Sequence, residues 1–404
     1  MTTPFKINIS DKELALLKDK LKLARFPDEL EGAGWDYGAP LLDIRRLTSR
    51  WIDGYDWRKH EKALNDELPQ FTSDIQIDGH GTLNIHFVHK QSGAKNAIPL
   101  LFIHGWPGSF LEVRKLLPLL TAVKEGAPSF HVVAYSLPGF GFSEGAKKKG
   151  FDLNKYAEVG HKLMLALGYH EYVVQGGDYG SAICELLNVH YGGPHVKALH
   201  TNMPMLSLTG PPPGIDPSTY TSEDVEVLER KKKWLEKGMG YFHQQATQPQ
   251  TIGYSLTDSP VGLLAWICEK LVNWTDEYPW DDDEVLTWVS IYWFSRAGPT
   301  ASARIYYETY GGRAVFKFPP FPPSKIPVGY SVFVKETATV PKPWLDAQDP
   351  VLHERHQRGG HFAAYEKPVE LVDDLRKMFT KGSPAYGVVP GKDGYAHVVS
   401  QIPL

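Results

Sequence analysis

The segment Tyr172-Val173-Val174-Gln175-Gly176-Gly177-Asp178-Tyr179-Gly180-Ser181 constrains the fold of this chain more than any other. Its apolar, β-branched start reads as a buried strand, and Ser181 to Val189 reads as a helix. The turn between them carries glycine at 176, 177 and 180. Such a turn forces its central residue, Asp178, into a strained backbone conformation, and small neighbours keep the bend free of clashes. The helix N-terminus then points at the Asp178 carboxylate and favours its ionised form. The bland alternative is a helix-capping aspartate, but a cap would not explain glycines on both sides.

The same strand-to-helix rhythm recurs upstream. Leu83–Val88, Ile98–Ile103 and His131–Leu137 read as strands, while Phe110–Val123 and Tyr156–Leu167 have helical periodicity. Buried strands alternating with helices predict a mostly parallel central sheet with helices on both faces. From about residue 203 the rhythm breaks. A proline-crowded stretch (210–217) leads into helical patterns at 223–238, 260–274 and 282–310 with no strand between them. The proline-rich Phe318–Pro323 follows, and Val328–Val334 resumes the strand pattern. The expected organisation is an N-terminal extension (1–73) carrying an amphipathic helix over 11–25, core residues 74–202, an inserted helical lid (203–323) and the rest of the core (324–404).

Bulk properties exclude several classes. A net charge of -4 with a pI near 6.5 gives no reason to expect nucleic acid as a partner. Two cysteines, Cys184 and Cys268, cannot form a disulfide framework and fit a reducing compartment. No signal peptide is visible and no apolar run approaches the ~20 residues of a membrane helix, so a soluble cytoplasmic protein is expected.

A strand–turn–helix presenting Asp178 is the context of a nucleophile elbow, with aspartate where serine usually stands. A literal G-x-S-x-G occurs at Gly141–Gly145, but its Ser143 precedes the loop Ala146-Lys147-Lys148-Lys149-Gly150 rather than a helix. After the strand 98–103 comes His104-Gly105-Trp106-Pro107-Gly108. In an α/β-hydrolase, a loop there supplies one oxyanion-hole amide and the residue after the nucleophile the other. These would be Trp106 and Tyr179, with Pro107 stiffening the loop; read alone, the motif is equally a tight turn. The order nucleophile, acid, histidine selects His361, which follows Gly359-Gly360 in a loop, over His353 and His356 in a charged strand-like stretch. Glu336, directly after the strand, is the preferred orienting acid, with Asp346 and Asp349 as alternatives.

Together these segments resemble the microsomal epoxide hydrolases and their soluble relatives, including the juvenile hormone epoxide hydrolases. The resemblance rests on His104-Gly105-Trp106-Pro107-Gly108-Ser109, Gly176-Gly177-Asp178-Tyr179-Gly180-Ser181, Asp258-Ser259-Pro260-Val261-Gly262-Leu263 and Arg358-Gly359-Gly360-His361-Phe362-Ala363-Ala364. It implies an α/β-hydrolase that converts a small apolar or aromatic epoxide and water to a diol, through an ester on Asp178. It implies two lid tyrosines that protonate the epoxide oxygen, matched by Tyr241 and Tyr306, and it supports Glu336 through Phe333-Val334-Lys335-Glu336. No metal or organic cofactor is implied, and a homodimer is left open. Two departures stand out: Tyr179 replaces the tryptophan found in many relatives, and no anchoring helix precedes Pro4-Phe5-Lys6-Ile7. A haloalkane dehalogenase and a non-catalytic ligand-binding homologue are the competing readings. The lid aromatics Trp266, Trp274, Trp280, Trp288, Trp293 and Phe294 suit an apolar pocket, although most are expected to be lid core.

Overall fold

A computed structural model describes residues 1–205, 211–315 and 321–395. Gly210 of the proline-crowded stretch, Phe318-Pro319-Pro320, and the end of the C-terminal stretch from 396 onward lie outside the described residues. The strands are β1 (Thr2–Phe5), β2 (Gln70–Ile77), β3 (Gly81–Lys90), β4 (Ile98–Ile103), β5 (Phe130–Tyr135), β6 (Tyr172–Gly176), β7 (Val196–Thr201), β8 (Val328–Phe333) and β9 (Leu352–His356). They form one sheet in the order β1-β2-β3-β5-β4-β6-β7-β8-β9. The pairings from β5 through to β9 are parallel, and those among β1, β2, β3 and β5 are antiparallel.

Sequence and burial agree in the centre of this sheet. β4 and β5 are buried at every residue, as expected for strands covered by helices on both faces. β2 instead alternates between buried and exposed residues toward the sheet edge. It runs across the expected 73/74 boundary, so that division falls inside a strand. Its alternation includes Thr72, Asp74 and Gln76, which gave no apolar run to read. β1 was equally illegible at four residues, and it pairs with β2 in register Thr2↔Ser73 to Phe5↔Gln70.

The lid comprises helices Ser222–Lys237, Gly240–Thr247, Pro249–Asp258, Pro260–Asn273, Asp282–Trp293 and Arg304–Tyr310. The stretch expected as one helical run over 282–310 is interrupted after Trp293, where Gly298 adopts a positive φ of 96° and Pro299 follows. The short helices from Gly240 and Pro249 were not anticipated, because glycine, proline and glutamine blur their periodicity. The N-terminal segment braces the lid through Arg46–Asp282, Arg50–Asp283 and Lys20–Asp258 ion pairs. No helix among the described residues is long and apolar enough to cross a membrane. Both cysteines are buried and free.

Candidate active site

Asp178 sits between β6 and the helix Tyr179–Tyr191 with φ 51° and ψ −130°, a left-handed conformation rarely adopted by a residue with a side chain. Neighbouring glycines make this bend possible. A Cβ on Gly180 would collide with the Ile103 carbonyl oxygen, and one on Gly177 would press on the Asn202 amide. The Asp178 side chain makes no capping hydrogen bond to its helix. It turns instead toward β4, where Oδ1 accepts a 2.8 Å hydrogen bond from the Trp106 amide. The Tyr179 amide also favours the charged form of this carboxylate. Burial raises the Asp178 pKa above the usual carboxylate value, against the opposing pull of His361 and these two amides.

The loop after β4 is built to hold the Trp106 amide still. His104 is buried, and its Nε2 accepts from the Leu137 amide at 3.2 Å, which fixes the proton on Nδ1. That Nδ1–H donates to the Gly105 carbonyl at 2.9 Å. The Gly105 carbonyl and the Trp106 N–H belong to one peptide, so the first hydrogen bond polarises the second. Gly105 leaves room for the Asp178 carboxylate: a Cβ there would overlap that side chain. The Trp106–Pro107 bond is cis. The Pro107 and Gly108 carbonyls each accept a 2.6 Å hydrogen bond from the lid, from the Trp288 indole and the Tyr292 hydroxyl.

His361 faces the same carboxylate from the opposite side of the elbow. Its Nε2 lies 3.7 Å from Asp178 Oδ2, and its Nδ1 bonds Glu336 at 2.9 and 3.2 Å. Gly360 packs against the Trp274 backbone, and the His361 amide donates to the Trp274 carbonyl at 2.8 Å. Glu336 is fully buried and also accepts from the Thr337 hydroxyl and the Ala338 amide. Burial would raise its pKa, but His361 and these donors outweigh that and leave it lowered. Burial likewise works against a charged His361, yet Glu336, Asp178 and Glu112 together push it up to about 9.

The alternatives named from sequence lie elsewhere. Asp346 bonds His353 at 2.7 Å, and His356 bonds Asp374 at 2.6 Å. Asp349 occupies a left-handed turn after Asp346. Ser143 is buried, donating to the Ser136 carbonyl and accepting from the His86 amide.

Tyr241 and Tyr306 come together across the cavity from Asp178. Their ring centroids are 5.9 Å apart, and the Tyr306 hydroxyl lowers the Tyr241 pKa against the effect of burial. Tyr241 stacks on the Trp106 indole at 5.2 Å, and Tyr306 meets the same indole edge-on at 5.6 Å. Tyr307, by contrast, is 39% exposed, so Tyr306 is the inward member of that pair. The cavity wall is completed by Met203, Met205, Trp234, Trp274, Tyr310 and Thr337. Of the lid aromatics singled out in the sequence, only Trp274 lines it; Trp266 and Trp280 bond Gln245 and the Leu271 carbonyl instead.

Sequence reasoning missed Met203, Met205, Trp234 and Tyr310, which no local motif marks. It also missed Glu112, whose carboxyl lies against Gly108. Burial pushes its pKa up to about 8, opposed by the His361 charge.

A sheet of this topology, with an acid at the elbow and a His–Glu pair beyond it, defines an α/β-hydrolase. The chain matches the α/β hydrolase fold family over residues 98–262 and the family described as epoxide hydrolase N terminus over residues 2–113. It is 36% identical to epoxide hydrolase 1 of Sus scrofa, covering 93% of this chain and 88% of that one. The structure of Aspergillus niger epoxide hydrolase is similar with a TM-score of 0.80 and 33% identity, over 93% of this chain and 95% of that one. Juvenile hormone epoxide hydrolase from the silkworm Bombyx mori gives 0.82 and 31%, over 93% of each chain. The chain belongs to the epoxide hydrolase family.

Proposed function

We propose that this protein hydrolyses epoxides to vicinal diols through a covalent ester on Asp178, with Tyr241 and Tyr306 as ring-opening acids. The observation that carries this reading is the split environment of the Asp178 carboxylate. Oδ1 rests on the Trp106 amide while Oδ2 is free of it and lies 3.7 Å from His361 Nε2. Attack by Oδ2 on an epoxide carbon forms a C–O bond as the ring C–O bond breaks, leaving Oδ1 as the ester carbonyl oxygen. The departing ring oxygen takes a proton from the tyrosine pair, whose pKa values are held well above 10 by burial and the Asp178 charge. Both therefore remain protonated donors at neutral pH.

Esterification removes the Asp178 charge, one of the groups that keeps the His361 pKa high. With its pKa lowered, His361 passes its proton to the tyrosinate left by ring opening and, still oriented by Glu336, takes a proton from water at Nε2. The resulting hydroxide adds to the ester carbonyl carbon, and negative charge develops on Oδ1 where the Trp106 and Tyr179 amides point. Collapse of this intermediate breaks the C–O bond to the diol, whose oxygen takes the remaining hydroxyl proton as it leaves, and restores the Asp178 carboxylate beside a protonated His361. The mainly aromatic and thioether-lined cavity suits a small apolar or aromatic epoxide.

The test is a single turnover of styrene oxide in ¹⁸O-labelled water. Label is expected in the Asp178 carboxylate, with an unlabelled diol; label in the diol would mean direct attack by water and end this reading. Release of chloride from a chloroalkane at a comparable rate would favour the haloalkane dehalogenase alternative.

A further inference from the structure

A buried lysine sits against one of the two tyrosines. Lys270, in the lid helix Pro260–Asn273, is only 5% exposed, and its Nζ lies 4.5 Å from the centroid of the Tyr241 ring. It is 5.7 Å from the Trp274 ring centroid. Its charge is balanced by an ion pair with the adjacent Glu269, which also accepts from Asn273 at 2.9 Å. Burying an ammonium is costly, and a leucine or methionine would fill the same lid position without that cost. The lysine therefore calls for an explanation beyond packing.

We propose that Lys270 is a positioning and tuning residue for Tyr241, holding its ring against Trp106 and strengthening its hydroxyl as the proton donor to the opening epoxide. This inference rests on the proposal that Tyr241 is a ring-opening acid. The groups around Tyr241 show why such help is needed. Burial, together with the Asp178, Glu336 and Glu269 carboxylates, raises its pKa, while the Tyr306 hydroxyl opposes them. A phenol so disfavoured as an anion is also a reluctant donor. A cation beside its ring stabilises the negative charge that builds on the phenol oxygen during proton transfer, and does so strongly in a site closed to water. Burial lowers the Lys270 pKa, and Glu269 opposes this by favouring the charged form. The lysine acts through the tyrosine and forms no bond to the reacting atoms.

The experiment measures single-turnover alkylation and hydrolysis rates with styrene oxide for Lys270→Met and Lys270→Arg, each in the wild-type and Tyr241→Phe backgrounds. Lys270→Met should slow alkylation about tenfold while hydrolysis of the ester changes less than about twofold. Lys270→Arg, which keeps the charge, should recover most of the alkylation rate. With Tyr241→Phe already present, Lys270→Met should have almost no further effect on alkylation. An equal slowing in both backgrounds, or an unchanged alkylation rate in Lys270→Met, would overturn the inference. A Tyr241→Phe protein that alkylates at the wild-type rate would instead overturn the role given to Tyr241. If Lys270→Met fails to fold, Lys270→Gln combined with Glu269→Gln removes the ion pair without orphaning Glu269 and supports the same comparison.

Discussion

The two oxygens of Asp178 face different partners: Oδ1 is 2.8 Å from the Trp106 amide and Oδ2 is 3.7 Å from His361 Nε2. The second separation is too long for a direct hydrogen bond. In the proposed mechanism it keeps the histidine beside the carboxylate without consuming the attacking oxygen, and leaves the imidazole next to the carbonyl carbon once that oxygen is esterified.

Replacing His361 by glutamine should uncouple the two steps. Alkylation needs Asp178, so His361→Gln is expected to gain one substrate mass when mixed with styrene oxide, located on Asp178 by peptide mapping. Turnover should fall on the order of 10³-fold or more. An adduct on any other residue would show that the nucleophile has been misassigned.

Glu336 should matter to hydrolysis and little to alkylation. Glu336→Gln leaves the His361 ring without its buried anionic partner, and the ester hydrolysis rate is expected to drop by about 10²–10⁴. Asp346→Asn, which alters a carboxylate paired with His353, should leave both rates near wild type. Stopped-flow measurement of the two phases separates these outcomes.

The raised His361 pKa has a consequence for stability. A proton held more tightly in the folded state (pKa about 9) than in the unfolded chain (about 6.5) stabilises the fold fully below pH 6.5. That contribution fades as pH rises from 6.5 to 9 and is gone above it. Wild type minus His361→Gln, compared by urea denaturation across this window, should therefore lose stability with increasing pH. A flat difference would show that the imidazole is not held protonated.

Gly180→Ala should be poorly tolerated, because the added methyl would overlap the Ile103 carbonyl oxygen. The expected cost is about 1–3 kcal/mol, read as a lower urea midpoint. Activity per folded molecule should fall as well, since the displaced strand carries the loop that positions Trp106.

What the sequence disclosed and concealed follows from interaction range. Asp178 and His361 were legible because glycine spacing and apolar runs are local records of tight turns and buried strands. Glu336 was legible through its place just after β8, although its separation from Asp346 required the fold. Met203, Met205, Trp234 and Tyr310 reach the cavity from both ends of the lid, and nothing in the surrounding residues records that convergence. Lys270 was hidden for a related reason: on a helix with apolar neighbours, a lysine reads as solvated until the partner ring is seen. β1, at the sheet edge, and its neighbour β2 were missed because strands in that part of the sheet carry polar residues and lack the continuous apolar signal.

The hydrogen bonds from Trp288 and Tyr292 to the Pro107 and Gly108 carbonyls bear on how this architecture can be recombined. The loop that presents the Trp106 amide belongs to the core by chain order, yet two of its carbonyls are held by lid side chains. A chimera that imports a lid from a relative would also import new anchors for that loop. Lid grafts should therefore retain turnover only when residues 104–109 travel with the helix 282–293, making these two distant segments one unit of inheritance.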